Sequence, residues 1–496
     1  MEYIRRSFSD VFAAKSFDAR SKTFATESLK HSSTEYTDVH GFHLYSQLSL
    51  TLTLTAPTNI DDASKAYEVI QRYVDIADAC AQKAGGEILE VQGERLHFFF
   101  KKELTKETLS EIITFCAALT NAVYQQKHKL GGKAFNGFKI CFDYGLAIIL
   151  STGDAPHDSF VSLGPCANNP AKHIPEVTAQ CTAMPTEIAE LMFNVDGRTS
   201  WYETNLMNYL EAGLENFSLH NFSSILSEGI SAIDKEYATE SFAVKTAVLR
   251  EDTKGRLTAS EALLYQGFFL RADLDGFTNK VQTAFAAKKS STIKELLQDF
   301  TNVLEFGAEY VDKAPRPAIQ LPWAGDCANI LLLPKPFEHV DDAHTYFPAH
   351  GPSAWLTGYC GAIKPPYKEA NWLVSLCGGD RLQGNRYVML ATVRTSSHDF
   401  LFAIGWSVGR SLDAHAVKGS SAGDTLISIQ DHVALDERYQ DLFTDANSNF
   451  KRSGRLHTIG RECEMAASAP TVAERTILNT PLVIPTARPH CCTEDF

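Results

Sequence analysis

Two aspartates stand where metal-dependent phosphoryl chemistry could be built. The segment RADLDGFT (271–278) puts Asp273 at the end of an apolar run that reads as a strand, followed after Leu274-Asp275 by a Gly-Phe-Thr that opens a helix. A carboxylate beside free helix N-terminal amides is a place for a divalent cation and a polyphosphate together. The segment WAGDCANILL puts Asp326 on the tight turn of a strand–turn–strand. In a ferredoxin-like sheet the end of the first strand and this hairpin are neighbours, so Asp273 and Asp326 can converge on one or two Mg²⁺ ions, as in-line displacement at phosphorus requires. Each aspartate alone reads as a turn or cap residue. It is the pair, at matching positions, that points to chemistry.

The elements that must position them occur twice. HLYSQLSLTLTLT (43–55) alternates polar and apolar residues and predicts a strand with one buried face. Asp61 and Asp62 are placed to cap a helix that runs through Ala81 and ends at Gly85-Gly86. EILEVQGERLHFFF predicts two strands around a Gly-centred turn, followed by a helix over roughly 104–130 and either a strand pair or one long bent strand over 137–150. The order β-α-β-β-α-β is ferredoxin-like. It returns with GFFLRADL (267–274), helical segments, the strand–turn–strand of 318–333, and two strands in YVMLATV and FLFAIGWSVG.

The chain therefore reads as a divergent tandem duplication. The expected division is an N-terminal extension (1–40), a first domain (41–212), a linker (213–260), a second domain (261–460) with a Gly/Pro/aromatic-rich insertion at 335–385, and a tail (461–496).

Composition narrows the function. At ~150 residues per domain, 496 residues allow about three domains, which the duplication reduces to two. With 46 Lys+Arg against 60 Asp+Glu, the net charge of −14 argues against nucleic acid or an acidic membrane as partner. A small phosphorylated substrate remains allowed, because a bound metal inverts the local sign. The 11 cysteines form no C-x-x-C pair, and the N-terminus has no apolar h-region, so the expected location is the cytoplasm. No run approaches the about 18 apolar residues of a membrane span. His40, His43, His97, His173 and His432 show no metal-ligand spacing and read as scattered structural or surface histidines.

D-L-D-G-F-T followed by G-D-C resembles the two metal-binding motifs of the class III nucleotidyl cyclases, the adenylate and guanylate cyclase family. GWSVGRSL (405–412) is similar to that family's strand motif G-I-H-S-G-R, and FVSLGPCANNPAKHI (160–174) resembles its Y-D-x-x-G-x-x-V-N-x-A-x-R. The resemblance implies an α/β (α+β) fold of two tandem ferredoxin-like cyclase domains, packed as an intramolecular pseudo-heterodimer around one composite site. It implies two Mg²⁺ or Mn²⁺ ions at Asp273, Leu274 and Asp326, phosphate contacts at Phe277, Thr278 and Arg410, and catalytic roles for Asn168 and Lys172, with Asn169 competing for the asparagine position. Lys172 departs from the family's arginine and lacks its bidentate fork. Gly93-Glu94 stands where the first domain would need Gly-Asp, while Leu426 and Gln430 fall where the second would need Asn and Arg. The halves are complementary, each keeping what the other lacks.

The resemblance assigns base reading to Glu90 and Val161. An ionised carboxylate accepts from an N–H edge, such as N3–H of uracil or N1–H of guanine, and has no donor for adenine N1. This is similar to the pyrimidine cyclases of Pycsar antiphage systems and implies UTP as substrate, cyclic UMP as product and a downstream cyclic-nucleotide effector. A monomer is compatible with the fused pair. The alternatives are a guanylate or adenylate cyclase, or a nucleotide-binding pseudoenzyme.

Overall fold

The computed structural model describes residues 18–20, 35–51, 54, 60–151, 160–195, 197–211, 221–227, 229, 243–245, 261–265, 267–274, 277–287, 318–324, 327–332, 370–377, 388–404, 425–429, 450–453 and 456–459. The first half runs β1 (Asp18–Arg20), β2 (Glu35–Leu50), α1 (Ile60–Lys83), β3 (Glu87–Gln92), β4 (Arg95–Phe100), α2 (Lys106–Gln125), β5 (Phe135–Ser151), β6 (Phe160–Leu163), α3 (Pro165–His173), β7 (Thr182–Pro185) and β8 (Trp201–Thr204). The sheet order is β3-β4-β2-β5-β7-β8, with β1 beside β2 and β6 beside β5.

Alternation along the strands sorts the two faces. Phe98 and Phe100 meet Phe115 of α2, and Phe138 meets Tyr73 of α1, so even-numbered positions of β4 and β5 build the helix-covered core. The odd positions turn to the opposite face. α1 starts at Ile60, which puts Asp61 and Asp62 in its first turn rather than at the cap, where they favour the helix dipole. The 137–150 segment is one strand, not a pair.

The second half comprises β9 (Ala243–Lys245), β10 (Glu261–Tyr265), β11 (Gly267–Leu274), α4 (Phe277–Ala287), β12 (Ala318–Ala324), β13 (Cys327–Leu332), β14 (Ala370–Cys377), β15 (Val388–Arg394), β16 (Asp399–Ile404), β17 (Thr425–Ile429), β18 (Phe450–Ser453) and β19 (Leu456–Ile459). β12-β13-β11-β14-β17-β19-β18 form one sheet and β16-β15-β10-β9 another. The second order repeats the outer pairing β6-β5-β2-β1 of the first half. The long strands β2 and β5 correspond to β10 with β11 and to β15 with β14, each interrupted.

Four expectations change. β2 begins at Glu35, inside the span expected to be an extension, because it pairs with β5 from Tyr36↔Leu150 onward. The span expected as a linker contributes β9, paired with β10. The span expected as an insertion contains β14, which pairs with β11 over its whole length. Leu426 lies in β17, a strand parallel to β14 as β7 is parallel to β5, so no Asn/Arg helix position falls there.

The halves touch through equivalent elements in both directions: β16 packs on β3, and β6 on β12. The β15–β16 hairpin also docks on α1. Tyr67 donates to the Thr392 carbonyl at 2.9 Å. Gln71 and the Arg394 backbone exchange bonds of 2.9 and 3.0 Å. Ala391, Val393 and Phe400 complete the first half's core.

Candidate functional site

Asp273 is the penultimate residue of β11, in register with Asn371 of β14. Ala272 pairs with Ala328, and Ala324 with Cys327, so the backbone brings the end of β11 to the start of β13, directly after Asp326. Asp326 itself lies outside the described residues, as does Arg410. By element order Gly405 follows β16 as Gly164 follows β6. β11 pairs with β13 on one side and β14 on the other, and the 405–412 run lies outside the described residues.

Three residues after Leu274 the chain enters α4, with Phe277 buried and Thr278 half-buried at its first turn. The first half reaches this point with α3, which touches α4. α3 starts at Gly164, where an added Cβ would lie 2.7 Å from the Leu146 carbonyl oxygen. That close approach seats the helix on β5. Pro165 opens α3, and Asn168, Asn169 and Lys172 follow on it. The exposed Lys172 donates from Nζ to Thr278 Oγ1, so an amine of the first half sits at the helix start of the second.

The asparagine alternatives separate by partner. Asn169 Nδ2 donates to Asp143 Oδ2 at 3.4 Å, while Asn168 is half-buried. Asp143 Oδ1 accepts from the Tyr144 N–H at 2.7 Å, yet burial pushes its carboxyl up to about 6.

Glu90 is 4% exposed and Val161 1%, on strands in contact. Glu90 is thus no solvent-facing strand residue: Gln92 Nε2 donates to its Oε1 at 2.6 Å. Its register partner is His97, which stacks on Tyr45 at 4.3 Å and shares a 3.0 Å hydrogen bond with His43 Nδ1. This polar cluster was hidden by treating histidines singly. Alternation was the available signal, since His43, Tyr45 and Gln47 recur every second residue of β2 on one face. Burial holds both imidazoles neutral, with His43 lowered to about 3.

Among the described residues no group of three His, Cys, Asp or Glu is placed to hold a metal. The oxygen donors of Asp273 and Asp326 fit Mg²⁺ or Mn²⁺ by chemistry.

No family model and no curated protein matches this chain. Among solved structures it is similar to a class III adenylyl cyclase-like ATP-binding protein from Pseudomonas aeruginosa, with TM-score 0.68 at 14% identity, covering 94% of this chain and 98% of that one. The fold is that of the class III nucleotidyl cyclases. The match extends over both halves. The adenylyl cyclase CyaB from P. aeruginosa matches 32% of this chain and 82% of its own at 14% identity, with TM-score 0.28. The guanylyl cyclase Cya2 also matches 32% of this chain, with TM-score 0.27. Among the described residues no helix of this cyclase-fold chain is long and apolar enough to cross a membrane.

Proposed function

We propose that this chain is a nucleotidyl cyclase with one composite site, converting a nucleoside triphosphate to a 3′,5′-cyclic nucleotide and pyrophosphate. The observation that carries the reading is the meeting of Lys172 with Thr278 across the two halves of a cyclase fold, next to the strand end that bears Asp273. Two Mg²⁺ or Mn²⁺ ions at Asp273, Leu274 and Asp326 would supply activation of the ribose 3′-hydroxyl and neutralisation of the triphosphate.

The chain's own residues do the rest. The amides and hydroxyl at the start of α4, Phe277 and Thr278, bind phosphate oxygens. Lys172 neutralises charge growing at the α-phosphate as its bond to the pyrophosphate oxygen breaks and the 3′-oxygen bond forms. Asn168 orients the ribose. Arg410 keeps its sequence-based role as a phosphate contact.

The finer reading is UTP as substrate and cyclic UMP as a signal to an effector in antiphage defence. It is supported by a buried Glu90 offering an acceptor to a base N–H, and by sequence resemblance.

The second reading, a nucleotide-binding pseudoenzyme, is favoured by Glu94 and Lys172 standing where the family has Asp and Arg, and by the description of the similar P. aeruginosa structure as an ATP-binding cyclase-like protein. The test is incubation with ATP, GTP, CTP and UTP plus Mn²⁺, scoring pyrophosphate and cyclic product. Turnover lost in Asp273→Ala and Asp326→Ala but kept in Glu94→Ala supports the asymmetric site. No turnover with any of the four sinks the enzyme.

A further inference from the structure

Strand register allows the two halves to be compared residue by residue. Ser46 pairs with Leu96 and Gln47 with Arg95 in the first half; Ala272 pairs with Ala328 in the second, and both hairpins close across two residues, Gln92↔Arg95 and Ala324↔Cys327. Gln47 also pairs with Lys139, as Asp273 does with Asn371. Gln47 and Glu94 therefore stand where the second half has Asp273 and Asp326, flanked by Arg95 and Lys139 where it has Cys327 and Asn371. Two cationic side chains and an amide around the one carboxylate do not fit a divalent cation.

Both cations reach the same segment. Arg95 Nη1 donates to the Ala171 carbonyl at 3.4 Å, in the last turn of α3. Lys139 Nζ donates to the Pro175 carbonyl at 2.9 Å, in the turn just after it. α3 has nine residues and carries Pro170 inside it, so it is weak by intrinsic propensity. Cations on the carbonyls at its C-terminal end satisfy groups that lack helical partners and complement the dipole. Ala171 is the neighbour of Lys172 and lies one turn from Asn168.

We infer that Arg95 and Lys139 are positioning residues: beside the first half's counterpart of the metal position they clamp the carbonyl end of α3, and so fix Lys172 and Asn168 against the second half. Their effect on turnover rests on the cyclase reading; the clamp itself does not. Lys139 is half-buried; burial and the nearby Arg95 lower its pKa, and Glu203 opposes them.

The experiment combines amide hydrogen exchange over 165–177 with turnover, in Arg95→Met, Lys139→Met and Lys139→Arg. Each methionine variant is expected to exchange about tenfold faster across α3, the scale of one lost hydrogen bond from a charged donor. β3, β4 and α2 should stay unchanged. Turnover should fall about tenfold in kcat, with KM within about twofold, and Lys139→Arg should restore both readouts. Unchanged exchange over 165–177 in both methionine variants overturns the clamp, as does loss spread over the whole first half without rescue by arginine. If a methionine variant fails to fold, Lys139→Gln, which keeps a donor without the charge, is read by the same criteria. Inactive wild-type protein would defeat the cyclase reading while the exchange data still decide the clamp.

Discussion

Lys172 Nζ, on a helix of the first half, donates a hydrogen bond to Thr278 Oγ1, on the first turn of a helix in the second. The two residues are far apart in sequence and meet only because each half lends one element to a shared place. An exposed amine held at a helix N-terminus is poised to exchange the hydroxyl for a phosphate oxygen. Lys172→Met is expected to lower kcat about 10²-fold, the scale of removing one transition-state donor, while Lys172→Arg retains most of the rate. Steady-state pyrophosphate release checks this. Equal rates for Met and wild type would remove Lys172 from the mechanism.

The proposed base reading rests on Glu90 and its neighbour Gln92. Gln92 Nε2 donates to Oε1 of Glu90, and an ionised carboxylate is an acceptor suited to a base N–H edge. Glu90→Gln is expected to reduce turnover of the preferred triphosphate about tenfold or more and to narrow the ratio between UTP and the other three, since a bond to a charged partner is lost. Competition among the four nucleotides reads the ratio directly. An unchanged ratio would place base reading elsewhere.

The hairpin on α1 makes a stability prediction free of any functional reading. Phe400 is fully buried in the first half's core although it belongs to the second. Phe400→Ala should destabilise by about 3–5 kcal/mol, and Tyr67→Phe by about 1 kcal/mol through the bond to Thr392. Chemical denaturation should show one transition moving for both halves. If only the second half loosened, the docking would carry no shared stability.

Acid sensitivity follows from His43 and His97. Their native pKa values are depressed by burial, with His43 at about 3. The unfolded chain takes up protons near pH 6.5 that the native state refuses, so their contribution is full above that value and is lost as pH falls toward 3. Asp143 works in the opposite sense, since its carboxyl is raised to about 6 and its native form binds a proton between about 4 and 6. Burial raises Asp78 in the same sense, so two carboxyls oppose two imidazoles; His43 alone shifts further than Asp143, which leaves a net loss below pH 6. Denaturation midpoints at pH 7 and pH 5 should differ, and His43→Phe should shrink the difference. A midpoint that rises on acidification would contradict the assignment.

Local pattern made much of this legible. Alternation in 43–55 announced β2, and Asp273 before Gly-Phe-Thr announced the start of α4, because both signals lie within one element. β14 escaped because its seven-strand sheet depends on pairing over a hundred residues away, and ANWLVSLC sits in Gly/Pro-rich surroundings. The α3 clamp escaped for the same reason: Arg95 and Lys139 gain their meaning from carbonyls on a segment that register, not sequence spacing, brings near. The burial of Glu90 is not legible in the sequence, since bulged strands lose strict alternation; the β3–β4 register shifts between Ile88 and Glu90.

The reciprocal packing of β16 on β3 and β6 on β12 also changes how the molecule responds to dilution. Two separate subunits would part as their concentration fell. Halves joined in one chain face each other at an effective concentration on the order of millimolar. Formation of the face between the halves thus becomes a property of the single polypeptide, independent of how many copies surround it.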